Sequence, residues 1–528
     1  EESFKKYFHI KTKAKGGYEM DDYGRRDYLF LNEGKNKSGL PSFRNVSTES
    51  GLNEKGFGLS SVWWDFDSDG DIDLFIANDF TDEDRLFRND GVDSKGIPKF
   101  VNVIDNVFPS ISWSSMGSDV ADINNDGLPD LMCVDMSANS HFKAKVNMGV
   151  LRPNHRLLME TGKPRQAMRN HLLINNNIGL FNESAQAQGI ASTNWSWSAK
   201  FGDLDNDGQQ DLFVANGMAR NFSNADHGTE IGDLLVARIG KTEWDLYKDG
   251  EPMLEKNLAF QNTGGSKFKK RPDWGLDLLG MSYSAAMGDL DNDGDLDLVV
   301  SDLGKNVKIF ENQGTKGNSL RVKLTGNKSN RMGIGAKVVV TDSTGDKRTR
   351  WMNPWTGFQG QNDLTLHFGL GVSTPKNIEV FWPSGIYQKL SLKKGTKEIS
   401  ITEKRSGKSP KPATKQQRFI ASKAPNFKHL EKAYDDFKRQ PLLPSKLSQL
   451  GPCLAKGDID GDGDEDIFVG GAAEQLGSVF INKKKGFELS PQEAFSGLAK
   501  YSEDSAALWF DADGDNDLDL YVSTGSNE

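Results

Sequence analysis

Asp65-Phe66-Asp67-Ser68-Asp69-Gly70-Asp71-Ile72-Asp73-Leu74-Phe75-Ile76 is the stretch that decides how this chain is read. Carboxylates alternate through its first nine positions, and an apolar strand follows at once. Five more stretches repeat the pattern, beginning at Asp122, Asp203, Asp289, Asp458 and Asp511. Acids at such spacing repel one another unless a cation stands among them. Hard oxygen donors at every second position, with Gly where the chain turns sharply, suit Ca²⁺. The same loop running repeatedly into the same kind of strand also marks a repeated unit of fold.

We number the loops 1 to 6 and their positions from the first Asp. Positions 1, 3, 5 and 9 are expected to offer side-chain oxygens, and position 7 its backbone carbonyl. Loop 1 then uses Asp65, Asp67, Asp69 and Asp73 with the carbonyl of Asp71; loop 2 uses Asp122, Asn124, Asp126 and Asp130 with Leu128. Loop 3 uses Asp203, Asp205, Asp207 and Asp211 with Gln209; loop 4 uses Asp289, Asp291, Asp293 and Asp297 with Asp295. Loop 5 uses Asp458, Asp460, Asp462 and Asp466 with Asp464; loop 6 uses Asp511, Asp513, Asp515 and Asp519 with Asp517. Loop 2, with three acids, has the weakest set. Position 6 is Gly in five loops and Asn516 in the last. Asn is the next-best residue for a left-handed backbone, so the exception follows the rule.

The opening of each loop overlaps the EF-hand consensus. An EF-hand also needs a bidentate Glu at position 12 and a helix on either side. Position 12 here is Ile76, Cys133, Val214, Val300, Val469 and Val522, all apolar. The strands behind the loops, such as Leu298-Val299-Val300, are apolar on both faces, as in sheets packed between neighbouring sheets.

The net charge of −10 over 528 residues comes from the loops. Their alternating positions hold 27 Asp, and without these the rest would stand near +17. The acidity is therefore a ligand inventory and does not imply a basic partner. Two cysteines, Cys133 and Cys453, lie 320 positions apart and read as unpaired thiols. No apolar run approaches the ~20 residues of a membrane helix. Neither end has the features of a natural terminus, so the chain reads as a fragment whose targeting signal is not visible.

Each loop sits in a longer unit. A strand of small residues precedes it, as in Ser282-Tyr283-Ser284-Ala285-Ala286-Met287-Gly288, and an L-x-x-N-like strand follows its apolar strand, as in Leu86-Phe87-Arg88-Asn89. A Phe-containing strand comes next, giving about four strands per unit, as in a propeller blade. Loop-to-loop spacings are 57, 81, 86, 169 and 53 residues. The longer ones hold inserts. Residues 136–170 and 217–256 include helix-like stretches such as 232–238, and they carry candidate ligand contacts: His141, Arg152, His155, Arg156, Arg165, Arg220, His227, Trp244 and Tyr247.

The longest gap holds a module of short alternating strands at 319–402, read as a small β-sandwich or barrel. Residues 403–447 follow as a Pro/Lys-rich linker with 12 basic and 4 acidic residues. A basic stripe without a folded platform is a solvated linker sooner than a nucleic-acid site.

These residues are similar to a known grouping. The acidic-loop blades resemble FG-GAP/VCBS repeats, the type found in integrin α propellers. Gly333-Ile334-Gly335-Ala336, Gly357–Asp363, Leu366–Gly371 and Val380–Gly385 resemble, in order and spacing, the ASPIC/UnbV domain. Ser114–Asp122, Trp195–Ser198 and Arg439–Leu450 resemble bacterial VCBS-repeat relatives of cartilage acidic protein. The resemblance covers nearly the whole chain. It implies an all-β protein: a seven-bladed propeller represented here by its last blades (1–318), an ASPIC/UnbV β domain (319–402), a linker (403–447) and the start of a second propeller (448–528). It also implies export, to the outside of the cell or its surface.

Three classes of function stay open. The first is a surface binding or adhesion module for a glycan or protein, held rigid by Ca²⁺. The second is a polysaccharide lyase or hydrolase. It is disfavoured because the clustered acids are committed to the ion, and neither a G-x-S-x-G elbow nor an H-E-x-x-H site is present. The third is a scaffold subunit of a surface nutrient-uptake complex. His367, alternating with Leu366 and Phe368, reads as structural.

Overall fold

A computed structural model of the chain describes residues 9–12, 18–21, 25–79, 82–146, 164–221, 224, 250–314, 317–405, 423–441, 448, 451–483, 486–496 and 502–525. The chain is all-β and divides into two compact units, Glu1–Lys415 and Gln416–Glu528.

In the first unit, loops 1, 2 and 3 each join the first two strands of a four-stranded antiparallel run. Loop 1 links Gly58–Trp64 to Asp73–Asn78, and Arg85–Val92 and Pro98–Asn102 complete the sheet. Loop 2 links Ser118–Ala121 to Asp130–Cys133, followed by His171–Asn175 and Phe181–Glu183. Loop 3 links Asn194–Gly202 to Asp211–Asn216, followed by Leu258–Asn262 and Phe268–Lys270. Loop 4 joins Ser282–Gly288 to Asp297–Asp302, with Lys308–Phe310 as the third strand. The first strands of these sheets neighbour one another in sequence order, as the inner strands of a β-propeller do.

Packing explains the composition of the second strands. Every residue of Asp73–Asn78, Asp130–Cys133 and Asp211–Asn216 is buried. One face of Asp73–Asn78 meets the layer of Trp64, Phe66, Leu86, Phe108, Leu131 and Phe181. Its other face meets Leu52, Phe87 and Phe100. Comparable apolar layers lie between the second and third blades, built on Met132, Leu172, Leu212 and Val214, and between the third and fourth, built on Phe213, Ala215, Leu298 and Val300. A strand covered on both faces must be apolar at odd and even positions alike.

The connections set two faces apart. Acidic loops join first strands to second, so they lie at one end of the blades. The inserts at 136–170 and 217–256 join second strands to third, so they leave from the opposite end.

Between Asn318 and Thr402 the chain forms two facing sheets. Asn318–Thr325 lies between Thr365–Gly371 and the parallel strand Glu398–Thr402. The second sheet runs Lys347–Trp351, Lys337–Asp342, Pro375–Phe381 and Tyr387–Ser391. Leu320, Val322, Val338, Val340, Phe368, Ile378 and Trp382 fill the space between them. The second unit has the same blade pattern. Loop 5 joins Leu454–Gly457 to Asp466–Val469 in a four-stranded sheet, and loop 6 joins Glu503–Phe510 to Asp519–Gly525. Cys133 and Cys453 are both free thiols. Among the described residues no helix is long and apolar enough to cross a membrane.

Candidate metal sites in the blade loops

The loop backbone is bent into shape by its own carboxylates. The position-1 side chain takes N–H groups from further round the turn: Asp65 accepts from Asp69 and Gly70 at 3.1 Å each, and Asp122 from Asp126 and Gly127 at 2.9 Å each. The position-5 carboxylate accepts from the N–H of position 7, as in Asp71 to Asp69 at 2.9 Å and Gln209 to Asp207 at 2.7 Å. Position 6 is left-handed throughout, at φ 101° for Gly70, 88° for Gly127, 104° for Gly294 and 73° for Asn516. Position 4 is left-handed as well, in Ser68, Asn125, Asn206 and Asn292, a feature the sequence reading missed.

Position 9 is the anchor. Asp73 accepts from Phe66 N at 3.0 Å and Asn89 N at 2.8 Å; Asp211 accepts from Leu204 N at 2.9 Å and Asn262 N at 2.8 Å. The same pair of bonds recurs at Asp130, Asp297 and Asp466. Each of these Asp residues thus ties its loop to the third strand of its own blade, or in loop 4 to Asn312 just beyond that strand.

This framework brings together positions 1, 3 and 9. In loops 1, 3, 4, 5 and 6 one carboxylate oxygen from each lies within 4.8 Å of the other two: Asp65/Asp67/Asp73, Asp203/Asp205/Asp211, Asp289/Asp291/Asp297, Asp458/Asp460/Asp466 and Asp511/Asp513/Asp519. Loop 2 forms no such acidic triad, because position 3 is Asn124, whose Nδ2 donates to Asp126 at 2.9 Å. The position-5 acids lie outside the triads. Several Asp-rich groups are therefore positioned to hold metal ions.

The donor set fits a hard cation. Asp203 Oδ1 and Asp289 Oδ1 are buried and have no hydrogen-bond partner. A buried carboxylate oxygen without a donor is costly unless a cation takes it. Burial, with help from the neighbouring acids, pushes the Asp65 carboxyl up to about 6. It pushes Asp73 up to about 8 and Asp203 to about 7. Carboxyls this reluctant to ionise together are ones that a divalent ion would stabilise.

Two further sets of residues surround the loops. The first is the Asn of the L-x-x-N strands. Its side chain donates back to the position-2 carbonyl of the preceding blade: Asn175 to Phe66 O at 2.9 Å, Asn262 to Ile123 O at 2.7 Å and Asn312 to Leu204 O at 2.8 Å. Asn125 and Asn206 reach the other way, to the carbonyls of Gly208 at 3.2 Å and Gly294 at 3.3 Å. The L-x-x-N motif is visible in the sequence; its role as a fastener between blades is not.

The second set comes from the sandwich, which lies on loops 2, 3 and 4. Arg321 Nη1 is 2.7 Å from Asp289 Oδ2. Arg350 is buried, and the charges of Asp203 and Asp122 oppose the burial that lowers its pKa. Lys337 Nζ donates to Gly127 O at 2.9 Å, and the imidazole Nε2 of His367 is 3.2 Å from Gly294 O. The segment 354–363 of the sandwich runs along the inner strands. Gly357 N donates to Ser118 O at 2.6 Å, and Phe358 N to Ser198 Oγ at 3.2 Å. Lys200, fully buried and drawn down to about 8 by desolvation, donates to Thr356 O at 2.6 Å. Phe358 packs on Trp197 and Tyr283, with centroids 5.0 and 6.4 Å away.

Of the candidate contacts on the inserts, His141 opens a short exposed helix (His141–Val146), Arg165 is exposed and Arg220 half-buried. Arg152, His155, Arg156, His227, Trp244 and Tyr247 lie outside the described residues, as does the stretch 232–238.

Acid-loop blades joined to a two-sheet β domain define a repeat protein of the β-propeller class. Comparison with known families makes this specific. The profile of FG-GAP-like repeats matches residues 65–133, 163–214, 232–300 and 458–522, and that of the ASPIC and UnbV domain matches 326–408. The chain is an FG-GAP-repeat protein with an ASPIC/UnbV domain, homologous to cartilage acidic protein 1. It is 24% identical to that protein from Xenopus tropicalis over 357 residues, 66% of this chain and 45% of the relative. With the Homo sapiens protein it shares 27% over 187 residues, 35% of this chain and 24% of the relative. The chain thus spans less than half the length of these relatives. Among solved structures, the Vibrio cholerae biofilm matrix protein Bap1 aligns over 92% of this chain and 79% of its own at 11% identity, with a TM-score of 0.27. That score is too low to bear on fold or function.

Proposed function

We propose that this chain is a calcium-stabilised binding or adhesion module of the extracellular space or cell surface, recognising a glycan or a protein. The observation that carries the reading is the recurrence of one carboxylate triad, at positions 1, 3 and 9, in five loops. Oxygen-only donors on a flexible loop suit Ca²⁺ better than Mg²⁺, which keeps its water and demands a tight octahedron. The full ligand set in each loop is the one named above, with position 5 and the position-7 carbonyl closing in on the ion. At ~1 mM Ca²⁺ and a Kd of ~10⁻⁴ M, the range of extracellular modules, each site adds roughly 1.4 kcal/mol. Six such sites, if additive, reach about 8 kcal/mol, comparable with the whole net stability of a domain, ~5–15 kcal/mol.

In this reading the loops give rigidity, and recognition belongs to the opposite face, where the inserts emerge. The relatives' printed association with cartilage supports an extracellular place. Calcium titration of chelated protein by calorimetry, with Mg²⁺ as comparison, tests the ion. Immobilised glycans and co-purified proteins, scored for retention and for glycan cleavage, test the ligand. Cleavage without retention would replace the binding module with an enzyme.

A further inference from the structure

We propose that the ASPIC/UnbV sandwich is seated on the propeller only while loops 3 and 4 hold cations, so that ion binding and seating are thermodynamically coupled. The inference rests on the ion reading above and goes beyond it. It assigns the sandwich a role: it senses whether the blades are loaded.

Two orphaned atoms point to this coupling. In loop 1, Asp65 Oδ1 accepts from Asp69 N at 3.1 Å. In loops 3 and 4 the corresponding atoms, Asp203 Oδ1 and Asp289 Oδ1, have no donor and are buried. The sandwich supplies part of that cover. Gly369 passes so close to Asp203 that a Cβ there would collide with its carboxylate, and Arg321 holds the other oxygen of Asp289. Seating therefore covers, at the Oδ2 side, the two carboxylates whose Oδ1 atoms are buried without a donor among the described residues. An unsatisfied buried carboxylate oxygen opposes seating, and a bound divalent cation would offset that cost.

The remaining contacts depend on loop shape. Gly371 N donates to Asn206 O at 2.8 Å, and Ser319 Oγ to Gly294 O at 2.5 Å. Both carbonyls belong to left-handed or adjoining turn positions that repelling acids would distort. Arg321 and Gly294 N both hold Asp289 Oδ2, so Oδ1 is the oxygen left for a cation. By reciprocity, a seated sandwich must raise the affinity of these loops for the ion as much as the ion favours seating.

The test is hydrogen exchange on the full chain, followed peptide by peptide while Ca²⁺ is titrated into chelated protein. Loops 5 and 6, in the other unit, serve as the internal reference. Chelation is expected to deprotect residues 348–371 together with loops 3 and 4. The F358A variant removes a neutral anchor that packs on Trp197 and Tyr283. It should weaken Ca²⁺ binding at loops 3 and 4 several-fold and leave loops 5 and 6 unchanged. Deprotected loops beneath an unchanged 348–371 would overturn the coupling and leave the ion reading intact. Loops that ignore Ca²⁺ altogether would overturn both. If F358A fails to fold, the wild-type exchange pattern decides alone.

Discussion

The Asn262 side-chain amide donates to the Ile123 carbonyl at 2.7 Å, across 139 residues of sequence and from one blade to the one before it. The same amide also reaches Gln210 O at 3.3 Å in its own loop. Both acceptors are buried, so removing the donor strands them. The N262A variant should lose about 2–3 kcal/mol in chemical unfolding. Asn482, in loop 5's blade, reaches Glu465 O at 3.2 Å in an exposed setting and, among the described residues, no carbonyl of another blade. Its alanine variant should cost under about 1 kcal/mol. Equal losses at the two positions would remove the inter-blade role.

What the sequence disclosed, and what it did not, follows from range. The loops were legible because their determinants are local: alternating acids, a Gly or Asn at position 6, and a strand apolar on both faces directly behind. Asn516 adopts φ 73°, the left-handed turn its position requires. The Asn262–Ile123 bond was not legible, since only the packing of neighbouring blades brings those atoms together. Nor was the place of Arg350 beside Asp122 and Asp203. On the strand it is one of several alternating cations, and nothing nearby marks it as buried. His367 alternates with apolar residues and is indeed buried, but its partner, the Gly294 carbonyl, is 73 residues away.

Loop 2 offers a gain-of-function variant. Asn124 stands where the triads carry an acid, so N124D should complete the set. Affinity at loop 2 should rise several-fold, because charge count sets Ca²⁺ affinity in such loops. Exchange protection of residues 122–130 during a Ca²⁺ titration reads this site directly, and an unchanged midpoint would show that position 3 is not a ligand.

Acid sensitivity should trace in part to His171. It is buried in the second blade with Ser110 Oγ at 3.0 Å and Ser112 Oγ at 3.1 Å, and burial draws its pKa from 6.5 to about 3. A depressed folded-state pKa gives stability that is complete above about pH 6.5 and lost as pH falls toward 3. From pH 6.5 to 5 the loss is about 2 kcal/mol. Wild type should therefore lose about that much more than H171Q between pH 7 and 5 in saturating Ca²⁺. Parallel pH profiles would mean that the imidazole stays accessible to protons.

Thermal unfolding with and without calcium bears most directly on the claim that the acidic loops are ion sites that hold the blades rigid. In 1 mM Ca²⁺ against excess chelator, the melting temperature of the full chain should fall by about 5 °C or more, and readdition of Ca²⁺ should restore it. Superimposable melting curves in the two conditions would show that the loops keep their shape without a metal.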